Sequence, residues 1–113
     1  MNKFLTLATF IFSITINSQS TLPNISLNSL EGNQINVQSI SSDDKIAVVS
    51  LWATWCVPCI KELDAISEYY EEWRDEVNFE LYAISTDDSR TIKRVNAMVN
   101  GKGWDYTILL DSN

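Results

Sequence analysis

Apolar and polar residues recur along the chain with periods that predict a strand, a helix and a second strand. Residues 46–50 form a β-branched apolar run that fits a buried strand. From residue 59 to residue 73 or 74, apolar side chains recur at the 3.6-residue spacing of an amphipathic helix. Residues 77–85 alternate and then become apolar, which predicts a second strand. This order indicates a parallel pair of strands joined by a right-handed crossover.

A β-hairpin is predicted before this unit. Residues 22–27 and 34–37 are short alternating segments, and they are joined through Glu31-Gly32-Asn33, where a turn can form. The polar residues 39–45 then lead into the first strand of the central pair.

A second helix and a third strand are predicted after the unit. Asp87-Asp88-Ser89 suits the N-cap of a helix over residues 90–100, and Gly101 suits its end. The inward face of this helix is apolar and consists of Ile92, Val95, Met98 and Val99. Residues 106–110 predict the third strand. The predicted fold class is therefore α/β, with a central parallel βαβ unit, a leading β-hairpin and an added helix–strand.

The N-terminal residues predict export. Lys3 precedes an apolar run over residues 4–16, and Ser18 supplies the small residue before a cleavage site, so residues 1–18 have the features of a signal peptide. The alternative is an uncleaved membrane anchor, although the run is shorter than the roughly 20 residues that span a bilayer. We expect residues 19–113 to form one domain in the periplasm or cell envelope.

Composition narrows the functional classes. With 113 residues, the chain is long enough for one domain and one core. Its formal net charge of −7 argues against a phosphate-binding surface, and so against nucleic acid as a partner. Histidine is absent, so neither a Ser-His-Asp nor a Cys-His nucleophile can be built.

Two cysteines lie where the first strand of the central pair meets the helix. Cys56 and Cys59 are the only cysteines in the sequence. Their i, i+3 spacing brings the Cβ atoms to roughly 5–6 Å, close enough for a disulfide. Pro58 lies in the first helical turn, where a missing N–H is tolerated. Cys56 is then at the helix N-terminus, where unpaired N–H groups stabilise the thiolate that thiol–disulfide exchange needs.

Three other interpretations of the cysteine pair are weaker. A structural disulfide would close so short a loop that it would remove little unfolded-chain entropy. Half of a zinc site would need two further ligands, and the chain has no histidine and no second cysteine pair. Inert buried thiols would require neither the proline nor the strand–helix junction. A redox-active pair is the favoured interpretation.

Glu62 differs from the other charged residues of the predicted helix. The apolar stripe of this helix consists of Cys59, Leu63, Ile66, Tyr70 and Trp73. At about 100° per residue, Glu62 lies roughly 60° from Cys59, at the flank of the stripe and one turn along the helix. Two interpretations stay open: a rim carboxylate in water, or a partly buried carboxylate that accepts the proton of the Cys59 thiol.

Residues 52–59 resemble the redox motif of thioredoxin-like proteins. From about residue 22 to residue 111, the chain is more similar to their exported TlpA/ResA branch of thiol–disulfide oxidoreductases, including the hairpin and the added helix–strand. The W-C-x-P-C-x-x-E run of that branch is formed here by Trp55, Cys56, Pro58, Cys59 and Glu62. The resemblance implies a thioredoxin-like fold with a redox-active disulfide between the two cysteines.

The resemblance also implies roles and partners. Cys56 would be the exposed attacking thiol, Cys59 the buried resolving thiol, and Glu62 a catalytic acid that handles protons during exchange. The supporting motif residues would be Trp55, Val57 and Pro58. The substrates would be disulfides of exported proteins, with apocytochrome c as one candidate, and the electrons would come from a membrane donor. No cofactor and no metal are implied.

Two departures from the family pattern matter. Ser50 lies six residues before the first cysteine, where thioredoxins proper carry a buried Asp, and this favours Glu62 as the proton-handling group. The family's cis-proline loop, two antiparallel strands and last helix would follow Asp111, and neither Pro23 nor Pro58 can serve as the cis-proline. The thioredoxin-like domain is therefore expected to be truncated at its C-terminus, with an exposed sheet edge.

Two alternative functions stay open beside the thiol–disulfide oxidoreductase. A peroxiredoxin-like thiol peroxidase shares the scaffold, but residues 53–56 do not supply its P-x-x-x-T-x-x-C pattern. A thioredoxin-like binding or holdase domain with redox-silent cysteines is the non-enzymatic alternative. Reduction of disulfides is the favoured activity, although the motif alone does not fix the direction of exchange.

Overall fold

The computed structural model describes residues 21–41 and 44–111. Within these residues the chain forms five strands, two α-helices and one 3-10 turn. In chain order these are β1 (Ser26–Ser29), β2 (Gln34–Asn36), the 3-10 turn (Val37–Ile40), β3 (Ile46–Trp52), α1 (Val57–Glu76), β4 (Phe79–Ser85), α2 (Lys93–Lys102) and β5 (Thr107–Leu110). The predicted signal peptide, residues 1–18, lies outside the described residues.

The strands form a single sheet in the order β2-β1-β5-β4-β3. Strands β3, β4 and β5 run parallel, whereas β1 pairs with β2 and β5 in antiparallel ladders. The carboxyl ends of β3 and β4 lie side by side, with Trp52 opposite Ser85. The predicted α/β class, the leading hairpin and the parallel strand–helix–strand unit are thus confirmed.

The core has two parts, one on each face of the sheet, because successive residues of a strand point to opposite faces. Leu81 and Ala83 of β4 belong to the larger part beneath both helices. The other buried residues of this part are Trp52, Leu63, Tyr70, Val95, Val99, Trp104, Tyr106 and Ile108. Ile84 of β4 belongs to the smaller part, together with Leu27, Val37 and Leu109. Both α-helices therefore cover the same face of the sheet.

β3 is an edge strand, which corrects the prediction of a buried central strand. In the described part of the chain, β4 is the one strand that pairs with it. Ile46 and Leu51 are 58% and 63% exposed, and Val48 and Val49 are exposed as well. Burial of a strand depends on what pairs and packs beside it, so a β-branched run alone cannot decide it. Within the described residues, β3 therefore has one edge that no strand pairs with.

α1 extends over 20 residues and agrees closely with the predicted helix. Leu63 and Tyr70 are buried, as the apolar stripe requires. Trp73, which was expected on the same buried stripe, is 43% exposed and stacks on Tyr69 at a ring-centroid distance of 5.6 Å. Among the described residues, neither helix is long and apolar enough to cross a membrane.

α2 begins and ends later than predicted. It starts at Lys93 and continues through Gly101, the expected stop. Gly103 ends the helix instead, with a φ of 67° and its N–H donated to the Val99 carbonyl. Glycine adopts this left-handed conformation without a steric cost, which is why it commonly closes a helix. Val95 and Val99 are buried, which confirms the predicted inward face.

Two buried tyrosines connect α1 to the sheet through their hydroxyl groups. Tyr106 donates to the Leu63 carbonyl at 2.6 Å, and the Tyr70 hydroxyl accepts the Leu81 N–H at 3.0 Å. The two rings meet edge to face with centroids 4.8 Å apart. Burial raises the pKa of Tyr106 above its ordinary value, so this phenol stays neutral over a wide pH range.

A polar contact fixes the segment after α2 against α1. Asp64 accepts hydrogen bonds from Lys102 Nζ at 2.7 Å and from Trp104 Nε1 at 3.0 Å. The hydrogen bond from Lys102 lowers the pKa of Asp64. The Trp104 ring packs edge to face on Trp52, with centroids 5.2 Å apart. Trp104 therefore supports the end of β3, where the cysteine motif begins.

Candidate active site

The cysteine motif lies at the carboxyl end of β3, where the strand turns into α1. β3 ends at Trp52, and the Cys56 N–H donates to the Ala53 carbonyl at 3.0 Å, which closes the connecting turn. Cys56 is the N-cap of α1, and the helix begins with Val57 and Pro58. Proline is tolerated there because N–H groups of the first turn have no helical acceptor. The predicted position of Cys56 at the helix N-terminus is confirmed.

Cys56 and Cys59 form a disulfide across the first turn of α1, with Cα atoms 5.3 Å apart. Both residues are partly exposed, so the expected contrast between an exposed Cys56 and a buried Cys59 is not present in the disulfide form, although Cys59 packs against the larger part of the core. After reduction, a thiolate on Cys56 would lie at the unpaired N–H groups of the helix N-terminus, which stabilise negative charge. The same helical turn thus holds the disulfide in the oxidised form and, in the reduced form, a Cys56 thiol suited to attack another disulfide.

Exposed apolar side chains border the disulfide. Trp55 and Val57, the neighbours of Cys56 in the chain, are 63% and 59% exposed. Apolar surface around a reactive group suits contact with another polypeptide, because the contact removes that surface from water.

Glu62 is exposed on α1, one turn beyond Cys59. Of the two interpretations left open, the exposed side chain agrees with a rim carboxylate in water, because the flank of the apolar stripe faces solvent at this position. Within the described residues it makes no hydrogen bond and no ion pair. Its proton-handling role stays a prediction.

Among the described residues, no three acidic or cysteine side chains converge to hold a metal ion.

Asp87 is a buried carboxylate beside the redox turn. It lies just after β4 and is 0% exposed. Its oxygens accept hydrogen bonds from the Thr54 N–H at 3.0 Å, the Thr54 hydroxyl at 2.5 Å and the Ser85 hydroxyl at 2.7 Å. Burial acts to raise the pKa of Asp87, but the hydrogen bonds from Thr54 and Ser85 outweigh it, so the pKa lies below its usual value. The carboxylate is therefore ionised at neutral pH.

Asp87 does not have the capping role that its place in the sequence predicts. It was expected to contribute to the N-cap of the second helix, whereas α2 starts at Lys93 and Ile92 is its N-cap. Asp87 and Thr54 are 33 positions apart, so no local period connects them. One available signal was topological: polar residues that follow neighbouring parallel strands meet at the same edge of the sheet.

Proteins of known structure or curated sequence resemble the chain. The solution structure of a thioredoxin-like protein from Porphyromonas gingivalis matches with a TM-score of 0.71 and 38% identity, covering 86% of this chain and 63% of that protein. Thiol-disulfide oxidoreductase ResA of Bacillus thuringiensis (strain Al Hakam) is 29% identical over 89 residues, which are 79% of this chain and 49% of ResA. Thioredoxin-like protein YneN of Bacillus subtilis (strain 168) is 30% identical over 94 residues, covering 79% of this chain and 51% of YneN. The chain thus spans about half the length of these curated relatives.

The family assignment extends well beyond the cysteine motif. The AhpC/TSA family model matches residues 19–113, which contain the hairpin, the redox turn, both helices and β5. The TM-score of 0.71 to the thioredoxin-like protein of Porphyromonas gingivalis supports the same fold over 86% of this chain. The chain therefore belongs to the AhpC/TSA family and has a thioredoxin-like fold.

Proposed function

We propose that the protein is an exported thiol–disulfide oxidoreductase that uses Cys56 and Cys59 as its redox pair. The observation that carries the proposal is the disulfide across the first turn of α1, with Cys56 as the N-cap residue. The name of the relative ResA, a thiol-disulfide oxidoreductase, supports the same class of activity. The exposed side chains of Trp55 and Val57 provide apolar surface for a polypeptide substrate.

In the reducing direction, the Cys56 thiolate attacks one sulfur of a substrate disulfide. A mixed disulfide forms, and the other substrate sulfur leaves as a thiolate and takes up a proton. Cys59 then loses its proton and attacks the Cys56 sulfur, so that the Cys56–Cys59 disulfide forms and the second substrate thiol is released. Two electrons pass from the protein dithiol to the substrate, and an external dithiol donor must reduce the protein again.

The finer parts of the proposal follow from the N-terminal sequence and from the family resemblance. The signal-like residues 1–18 favour export to the periplasm or cell envelope. In such an oxidising compartment, a reducing pair needs electrons from a donor in the membrane. The proposed substrates are disulfides of exported proteins, with apocytochrome c as one candidate.

Single cysteine variants test the assigned roles. Cys56→Ser should abolish the reduction of insulin disulfides, whereas Cys59→Ser should trap a mixed disulfide on Cys56, because the second attack is missing. Alkylation of the reduced protein should modify Cys56 faster than Cys59, and the opposite order would show that the roles are reversed. Peroxide consumption by the wild type, without disulfide reduction, would instead favour the thiol peroxidase.

Glu62 is proposed as the proton-handling group because it lies one turn beyond Cys59 on the same helix. Glu62→Gln keeps the size and polarity of the side chain and removes its ability to titrate. A proton-handling role predicts exchange that is slower by roughly 10- to 100-fold, with an altered pH profile. Unchanged rates from about pH 5 to pH 9 would identify Glu62 as an ordinary surface residue.

A further inference from the structure

Asp87 has no part in the exchange steps above, yet it is fully buried and bound to the redox turn. Its carboxylate holds both the N–H and the hydroxyl of Thr54. Thr54 lies two residues before Cys56, inside the turn that the Cys56 N–H closes on the Ala53 carbonyl. The contact therefore acts on the short segment that presents the disulfide.

The backbone around Asp87 is itself fixed to the ends of two strands. The Thr86 N–H donates to the Trp52 carbonyl at 2.8 Å, which continues the pairing of β4 with β3. The Asp111 N–H donates to the Ser85 carbonyl at 2.9 Å, on the side of β5. The Asp87 N–H donates to the Ser85 hydroxyl at 3.1 Å. The backbone that carries the Asp87 carboxylate is thus held in place by these hydrogen bonds.

Packing alone does not explain why the buried residue at position 87 carries a charge. Burying an ionised carboxylate costs free energy unless donors replace its hydration. Within the described residues, Asp87 makes no ion pair, and neutral donors of Thr54 and Ser85 bind its oxygens. Such charge-assisted hydrogen bonds are stronger than bonds between neutral groups, so they hold Thr54 tightly.

We propose that Asp87 is a positioning residue for the redox pair: by holding Thr54, it fixes the turn that sets Cys56 at the N-terminus of α1, within reach of Cys59. The proposal rests on the proposed exchange function. A disulfide forms readily when its two thiols are held close together, because little freedom is then lost on closure. Loosening the turn would lower the effective concentration of Cys56 at Cys59.

The test compares two variants at opposite ends of the contact. Asp87→Asn removes the charge and one acceptor, whereas Thr54→Val removes only the hydroxyl donor and keeps the carboxylate and the shape of the side chain. The equilibrium constant for forming the Cys56–Cys59 disulfide is measured against reduced and oxidised glutathione. We expect both variants to lower it, by about threefold to tenfold, where tenfold corresponds to about 30 mV. The double variant should lose no more than Asp87→Asn alone, because that change already weakens the hydroxyl bond that Thr54→Val removes.

Tyr106→Phe is the matched control, because it removes a different buried hydrogen bond, the one to the Leu63 carbonyl. It should reduce stability and leave the glutathione equilibrium at the wild-type value. The proposal is overturned if Asp87→Asn and Thr54→Val also leave this equilibrium unchanged. A shift in Asp87→Asn without one in Thr54→Val would also overturn it, since the charge and not the position would then be responsible. If Asp87→Asn does not fold, Thr54→Val decides the question alone.

The glutathione equilibrium needs no protein substrate, so it separates this proposal from the proposed function. A wild-type chain that forms the disulfide but reduces no protein disulfide would refute the function. The comparison of Thr54→Val with Tyr106→Phe would still decide the role of Asp87.

Discussion

Replacing Tyr70 by Phe should cost more stability than replacing Tyr106 by Phe, although each change removes one buried hydroxyl. The Tyr70 hydroxyl accepts the Leu81 N–H, so its loss leaves a buried donor without that acceptor. Such a donor costs about 1–3 kcal/mol. The Tyr106 hydroxyl donates to the Leu63 carbonyl, which lies inside α1 and also accepts the N–H four residues further along the helix. Its loss removes one hydrogen bond, worth about 0.5–1.5 kcal/mol.

Both variants keep the aromatic packing, so the comparison isolates the hydroxyl groups. The Phe rings can maintain the edge-to-face contact between positions 70 and 106 and the contact of Tyr70 with Phe79, whose centroids are 5.6 Å apart. Urea unfolding at equal m-values gives the two free energies, and each kcal/mol corresponds to about 4–8 °C in Tm for a domain of this size. Hydrogen exchange of the Leu81 amide should accelerate more in Tyr70→Phe than in Tyr106→Phe. An equal or larger loss of stability in Tyr106→Phe would refute the reasoning.

Two further predictions concern pH and the core. Burial raises the pKa of Tyr106 above 10.0 in the folded state. The neutral phenol therefore stabilises the fold fully below about pH 10, and this stabilisation is lost as the pH rises through the folded-state pKa. In urea titrations above pH 10, Tyr106→Phe should lose less stability than the wild type. Leu63→Ala should cost about 2–5 kcal/mol, because Leu63 is 0% exposed, whereas the control Ile25→Ala, at an exposed position, should stay within about 0.5 kcal/mol in the same assay.

The strand–helix–strand unit could be predicted because local patterns determine it. The apolar stripe of α1, the proline in its first turn and the alternation in β4 are all short-range features of the sequence. They also placed Cys56 correctly, because a cysteine directly before a helical stripe has few other positions to occupy. Trp73 shows the limit, since periodicity gives the direction of a side chain but not whether anything covers it.

The contacts of Asp87 could not be predicted from the local sequence either, because its partner is distant in the chain. An Asp followed by Asp and Ser after a strand is typical of a helix N-cap, and this pattern predicted the start of α2 three residues too early. The carboxylate is bound instead to Thr54, which comes before α1 in the chain. Only the pairing of β3 with β4 brings the two residues together. The local pattern holds for Asp88, which accepts the Arg90 N–H at 2.9 Å, whereas the role of Asp87 depends on a contact across strands.

The place of β5 between β4 and β1 determines which contacts can close early during folding. Asn28 of β1 faces Gln34 of β2, only six positions later, and β4 pairs with β5 from Tyr82 and Thr107, which are 25 positions apart. The hairpin joins the rest of the sheet through Asn28 and Leu110, which are 82 positions apart. Loop closure costs more entropy as this separation grows, so we expect the hairpin to dock last. During synthesis the hairpin leaves the ribosome before the other described elements. It can join the sheet only after β5 has been synthesised, because β5 is the strand with which β1 pairs.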